Sequence, residues 1–185
     1  MKSVLVPLAP GCEEMEVVIV VDVLRRAGAD VVLAGLEPGP TEASRGVRIV
    51  ADRALDEVEI ARFDAVVLPG GGPGTARLRA DARVRRVVTE FAAAGKLVAA
   101  VCAAPTVLLD AGILAGKRVT AHPSVHAELA RAGVRVDSAQ RVVVDGALIT
   151  SQAPGTCFEF AFALVSALFG ASKVAELNAG ILARV

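Results

Sequence analysis

Cys102 closes an aliphatic run, Leu97-Val98-Ala99-Ala100-Val101, and is followed by Ala103, Ala104 and Pro105. A thiolate attacks carbonyl carbons and is easily oxidised, so a cysteine in an exposed corner is a candidate for chemistry. The run reads as a strand buried on both faces. Proline suits the first turn of a helix, where its missing N–H has no partner to lose. Cys102 is therefore expected on a tight strand-to-helix turn. Its sulfur would face a helix N-terminus, whose free N–H groups and dipole lower a thiol pKa. The small side chains of Ala100, Ala103 and Ala104 would leave it open.

In an open α/β sheet, ligands bind beyond the carboxyl ends of the strands. Pro10–Glu16, Pro69–Gly74, Cys102–Pro105 and the segment holding His122 are expected at that end. This placement would bring Glu16, Gly71 and Cys102 together. The backbone N–H groups of Gly71 and Ala103 could then hold the oxyanion formed when the thiolate attacks a carbonyl. Burial and the neighbouring charge would favour a protonated Glu16, able to donate to the sulfur and move a proton.

Each residue also has a plainer reading. Cys102 could be a small core residue. Pro69-Gly70-Gly71-Gly72-Pro73-Gly74 could be a turn or a phosphate cradle, but the lysine and Ser/Thr of a phosphate loop are missing, and no GxGxxG follows the first strand. Glu13, Glu14 and Glu16 could simply complement a helix dipole. His122 is read equally as a loop residue or a site residue, His126 as lying on a solvated helix face, and Cys157 as core. Cys12 shares the loop of Glu16 and stays ambiguous.

The elements that must position these groups follow from hydrophobic patterning. Strands are expected at Ser3–Leu8, Asp30–Gly35, Asp64–Leu68 and Leu97–Val101. Shorter ones are expected at Val47–Val50, Arg118–Thr120, Val134–Val136, Arg141–Val144 and Leu148–Thr150. Helices are expected from Glu13 to about Ala27, over Arg83–Ala94, from Pro105 to about Asp110, and over Pro123–Ala132, Thr156–Phe169 and Lys173–Leu182. The first helix has a β-branched interior, Val17-Val18-Ile19-Val20-Val21, yet acids open it, arginines close it and Gly28 stops it. Strands alternating with helices indicate a mostly parallel sheet covered on both faces.

At 185 residues one domain, 1–185, is the expectation. Only 3% of residues are aromatic, so the core must be aliphatic. Lys+Arg and Asp+Glu both number 20, with no basic tract, which argues against nucleic-acid binding. The N-terminal apolar run is too short for a signal peptide, and no segment has the roughly 20 apolar residues of a membrane span. Three cysteines argue against a disulfide framework and for a reducing cytoplasm. His122 and His126 have no metal-ligand spacing around them, so no metal or cofactor is expected.

Taken together, several short motifs resemble the ThiJ/PfpI superfamily, in the branch of the Parkinson-disease-associated protein deglycase and its bacterial relatives. They are Gly11-Cys12-Glu13-Glu14-Met15-Glu16, Val21-Asp22-Val23-Leu24-Arg25-Arg26-Ala27-Gly28, Ser44-Arg45 and Val66-Val67-Leu68-Pro69-Gly70-Gly71. Further on come Ala100-Val101-Cys102-Ala103-Ala104-Pro105-Thr106, His122-Pro123 and Pro154-Gly155-Thr156-Cys157-Phe158-Glu159-Phe160-Ala161. They run in order along nearly the whole chain.

The resemblance implies a flavodoxin-like three-layer sandwich, akin to class I glutamine amidotransferase domains, that forms a homodimer. It implies an oxidisable nucleophile at Cys102, a protonated acid at Glu16 and a nearby histidine at His122. Oxyanion donors fall at Gly71 and Ala103 beside Gly70, with Arg45 and Pro154 around the pocket and dimer contact. The implied activity is glutathione-independent removal of α-oxoaldehydes, methylglyoxal to lactate, or deglycation of proteins. Substrates would be a small aldehyde or a glycated protein. A redox-sensing or chaperone role in oxidative stress, with Cys102 oxidised to sulfinate, is the alternative. An amidotransferase-like or thiamine-pathway enzyme is a third, weaker reading. Ala103 stands where the superfamily's peptidases carry histidine, which argues against proteolysis. Gln152 replaces the arginine of the human-like pattern. Cys12 is unusual at its position and could resolve an oxidised Cys102 into a disulfide.

Overall fold

Buried aliphatic strands dictate the architecture, and the computed structural model of the protein describes it over residues 1–184. The principal strands are β1 (Ser3–Leu8), β2 (Asp30–Gly35), β6 (Ala65–Leu68), β7 (Leu97–Val101), β10 (Val142–Asp145) and β11 (Leu148–Ser151). With the short β5 (Arg53–Ala54) they form one sheet in the order β10-β11-β7-β6-β1-β2-β5. All neighbours are parallel except β10 and β11, an antiparallel pair at one edge. Two small ribbons lie outside it. One pairs β3 (Pro40–Glu42) with β4 (Arg48–Val50), the other β8 (Arg118–Val119) with β9 (Arg135–Val136).

Alternation along each strand feeds two cores. Val4, Val6 and Leu8 of β1 face one side together with Ala99 and Val101 of β7. There they meet α1 (Glu14–Arg26) and α6 (Cys157–Phe169) through Val17, Val20, Leu24, Phe160 and Leu164. The last helix, α7 (Ala171–Ile181), packs on α6. Leu5, Val66, Leu68, Val98 and Ala100 face the other side. They are covered by α3 (Ala82–Ala93), α4 (Pro105–Asp110) and α5 (His126–Arg131), with α2 (Gly72–Ala80) at its edge. This is the flavodoxin-like three-layer sandwich.

The β-branched run in α1 is helical because its valines fill the helix's core face, while Val18 is left exposed. The glycine-rich stretch departs from expectation. Only Pro69–Gly71 is loop, and α2 begins at Gly72. Propensity disfavours a helix with Gly72, Pro73 and Gly74 in its first turn. Packing settles it: a β-carbon at Gly74 would stand 2.6 Å from the Cys12 amide nitrogen, so glycine lets α2 lie against the loop after β1. The sheet order reverses between β1 and β6, and the loops leaving β1, β6 and β7 meet there, at the position where open α/β sheets take ligands.

Candidate active site at the carboxyl ends of β1, β6 and β7

Cys102 lies just beyond β7 with φ 63°, in the left-handed region that non-glycine residues seldom occupy. Three main-chain bonds hold this elbow. The Cys102 amide donates to Ser151 O at 3.0 Å, its carbonyl accepts from the His122 amide at 2.8 Å, and the Ala104 amide donates to Val101 O at 3.0 Å. A backbone forced into this conformation between two elements is the usual mark of a functional corner.

Glu16, in the first turn of α1, is fully buried. Its Oε2 accepts a hydrogen bond from the Gly70 amide at 2.7 Å, while Oε1 is buried without a hydrogen-bond partner of standard geometry. The carboxyl and the Cys102 thiol face each other across Gly70, and each perturbs the other. Burial pushes Glu16 up to about 7, against the lowering effect of the Gly70 amide and of Cys102. Burial, then the Glu16 charge, pushes Cys102 up to about 12, while the amides of Gly71 and Ala103 oppose the rise.

The lowered thiol pKa expected from the sequence is thus corrected: α4 is only six residues long, and desolvation outweighs its dipole. What the pair does instead is share protons. Its first negative charge appears, on Glu16, as pH rises through about 7, and the second proton leaves only in strong alkali. Gly71 and Ala103 are where the sequence places the oxyanion donors. Gly71, at φ 88°, also abuts the β1 loop: a β-carbon there would stand 2.4 Å from Gly11 O.

The remaining expected residues join the site indirectly. His122 is tied to the elbow by its amide, and its ring Nδ1 lies 2.8 Å from Ser124 Oγ. Arg45 is exposed on a turn; its amide donates to Glu14 Oε1 at 2.9 Å and its guanidinium to the Ser44 carbonyl at 3.2 Å. Pro154 opens a short 3-10 turn leading into α6 and Cys157. Gln152 donates to the Ser138 carbonyl at 2.9 Å.

All three cysteines are free. Cys12 and Cys157 are fully buried, and desolvation raises both thiols, that of Cys12 to about 12. His126 is not on a solvated face: its Nε2 lies 2.8 Å from the Ala121 carbonyl, anchoring the start of α5.

Two features carried no sequence signal. Ser44 Oγ lies 2.8 Å from Glu13 Oε2 and 2.9 Å from Glu14 Oε2, so these acids tether a neighbouring turn rather than only complementing a dipole. Arg79 bridges Asp110 and Glu128 across three separate helices. Among the described residues, no helix is long and apolar enough to cross a membrane, and no His/Cys/Asp/Glu group is placed to hold a metal.

The sequence pattern of the DJ-1/PfpI family matches residues 2–167. The chain is 46% identical to the protein dj-1beta of Drosophila melanogaster over 182 residues, covering 98% of this chain and 97% of that one. It is 40% identical over 177 residues to a Caenorhabditis elegans protein named glutathione-independent glyoxalase DJR-1.2, covering 95% and 94%. The solved structure of oxidized Toxoplasma gondii DJ-1 superposes with a TM-score of 0.94 at 36% identity, covering 100% of both chains. With sequence and backbone agreeing along its length, this chain belongs to the DJ-1/PfpI family.

Proposed function

We propose that the protein is a glutathione-independent glyoxalase in which Cys102 is the nucleophile. The arrangement of Cys102 on a left-handed elbow, across Gly70 from the buried Glu16, carries this reading. The name of the nematode relative supports it. The thiol adds across the aldehyde of methylglyoxal to give a hemithioacetal, its oxygen held by the Gly71 and Ala103 amides. The pair's base takes the proton from the former aldehyde carbon and returns one to the neighbouring carbon. The first carbon is thereby oxidised to a thioester and the second reduced to an alcohol. Water releases lactate and regenerates the thiol, so no external oxidant or cofactor is consumed. In this reading Glu16 carries the proton and His122 assists. Gly70 keeps the corner open, while Arg45 and Pro154 frame the pocket.

Lactate formation from methylglyoxal, with the bare thiol-buffer reaction subtracted, tests the proposal. Cys102→Ala and Glu16→Gln are each expected to abolish it, and wild-type-like turnover in either would refute it. Deglycation of adducts on proteins would use the same steps once the aldehyde is released.

A second reading, a redox sensor, is favoured by the accessibility of the thiols: Cys102 is partly exposed, whereas Cys12 and Cys157 are sealed. Peroxide would oxidise Cys102 to sulfinate beside the same amides. Negligible lactate formation, with selective addition of two oxygens to Cys102, would choose this reading.

We further infer a homodimer. Met15 and Val18 on α1 and Val47 and Val50 at β4 are exposed, and Val18 and Val50 line one shallow groove. Sedimentation at micromolar concentration tests this inference. The free cysteines suit a reducing cytoplasm.

A further inference from the structure

A groove of about 540 Å³ opens beside the elbow. Gly72 and Ala103 line one end, and it continues past Thr75 and Ser124 to Arg79 and Asp110. Gly72 follows Gly71 and Ala103 follows Cys102, so the groove begins beside the amides that face the sulfur. Its volume is in the range of pockets for drug-sized ligands, far more than methylglyoxal fills.

The far end is polar and part-exposed. Arg79 Nε and Nη2 donate to the two oxygens of Asp110 at 2.7 and 3.0 Å, and Nη2 lies 2.8 Å from Glu128 Oε1. Among the described residues the remaining nitrogen, Nη1, has no protein partner. One cation between two carboxylates leaves a surplus negative charge, which disfavours an anionic ligand. Donors beside acceptors suit hydroxyl groups, which both give and accept hydrogen bonds. Ser124 adds a hydroxyl to the lining, its Oγ 2.8 Å from His122 Nδ1.

We propose that this groove is a subsite for the hydroxylated tail of sugar-derived α-oxoaldehydes, extending the site at Cys102 to substrates longer than methylglyoxal. The proposal rests on the reading of Cys102 as nucleophile. The aldehyde end would lie at the sulfur, and the tail would run past Ala103 to Arg79 and Asp110.

The test uses 3-deoxyglucosone as the long probe and methylglyoxal as the short one. Two variants alter the groove: Ala76→Phe fills it from the exposed side of α2, and Arg79→Met removes the donor fork. Each is expected to lower the ratio of kcat/KM for the long probe to that for the short one by about tenfold. A ratio within about twofold of wild type in both would overturn the subsite. Binding is followed separately in the non-reacting Cys102→Ala protein by amide NMR shifts. Shifts at Arg79 and Ser124 with the long probe but not the short one are expected, and their absence would also overturn it. If those shifts occur while the wild type turns over neither aldehyde, the subsite stands and the catalytic reading fails.

Discussion

A β-carbon on Gly70 would stand 2.6 Å from that of Cys102, and 2.8 Å from Glu16 Oε2. Neither neighbour can withdraw, since one is held on the elbow and the other is sealed in the core. Gly70→Ala should therefore destabilise the fold by about 1–3 kcal/mol, the usual range for overpacking. It should also push the thiol and carboxyl apart, slowing both turnover and alkylation of Cys102. Gly155→Ala is the control, because its added carbon meets nothing within 4 Å. Equal unfolding midpoints for the two variants would remove Gly70 from this account.

The φ of 63° at Cys102 makes a prediction about the backbone alone. The left-handed region costs a residue with a β-carbon roughly 1–2 kcal/mol, and glycine almost nothing. Cys102→Gly should therefore unfold at higher denaturant than Cys102→Ala, although both lack the sulfur. Elsewhere glycine is the worse choice, because it loses more chain entropy on folding. Cys102→Ala being the more stable variant would mean that the elbow is relaxed.

Glu16 should make stability fall as the solution becomes less acidic. Its folded pKa, about 7, lies above the ordinary value of 4.5 because the carboxyl is buried. The native state then holds a proton that the unfolded chain has already lost between those values. Its contribution is fully present below pH 4.5 and lost as pH rises through 7. The size is on the order of 3 kcal/mol. Glu16→Gln, which cannot ionise, should gain stability relative to wild type between pH 5 and 8, even as it loses activity. Cys102 does not interfere, because its raised pKa acts only in stronger alkali. Parallel unfolding curves for the two proteins across this window would mean that Glu16 titrates normally.

How much of this was legible in the sequence depends on the range of the interaction. β1 and β2 were placed to the residue, and β7 with its following corner was found, because burial on both faces writes itself as an unbroken aliphatic run. The trio of Glu16, Gly71 and Cys102 followed from the topology, which sends three loops to one end of the sheet. Helix α2 was hidden because what permits it is a contact between Gly74 and Cys12, far apart in the chain. The ribbon strand β3 and the Arg79 bridge were hidden likewise, since a polar partner on another element leaves no periodic trace. The thiol pKa was misjudged for a different reason: a helix start can be read from sequence, whereas the depth of burial that overrules it cannot.

Glu14 and Glu16 lie two residues apart on α1 and respond to acid in opposite ways. Burial pushes Glu14 up, but hydrogen bonds from its own amide, Ser44, Arg45 and Val47 outweigh it and hold the carboxyl below its ordinary 4.5. A lowered folded pKa contributes stability above the unfolded value and loses it as pH falls through the folded one. The Ser44 hydroxyl bridges Glu13 and Glu14, so Ser44→Ala should weaken the fold most near neutrality. The deficit relative to wild type should shrink as the buffer is taken well below pH 4.5, where Glu14 is neutral in both proteins. Denaturant midpoints of the two proteins at several acidic pH values measure this directly. A deficit that stays constant or grows in acid would show that the Ser44 tether does not act through the Glu14 charge, and that the start of α1, and with it Glu16, is positioned by packing instead.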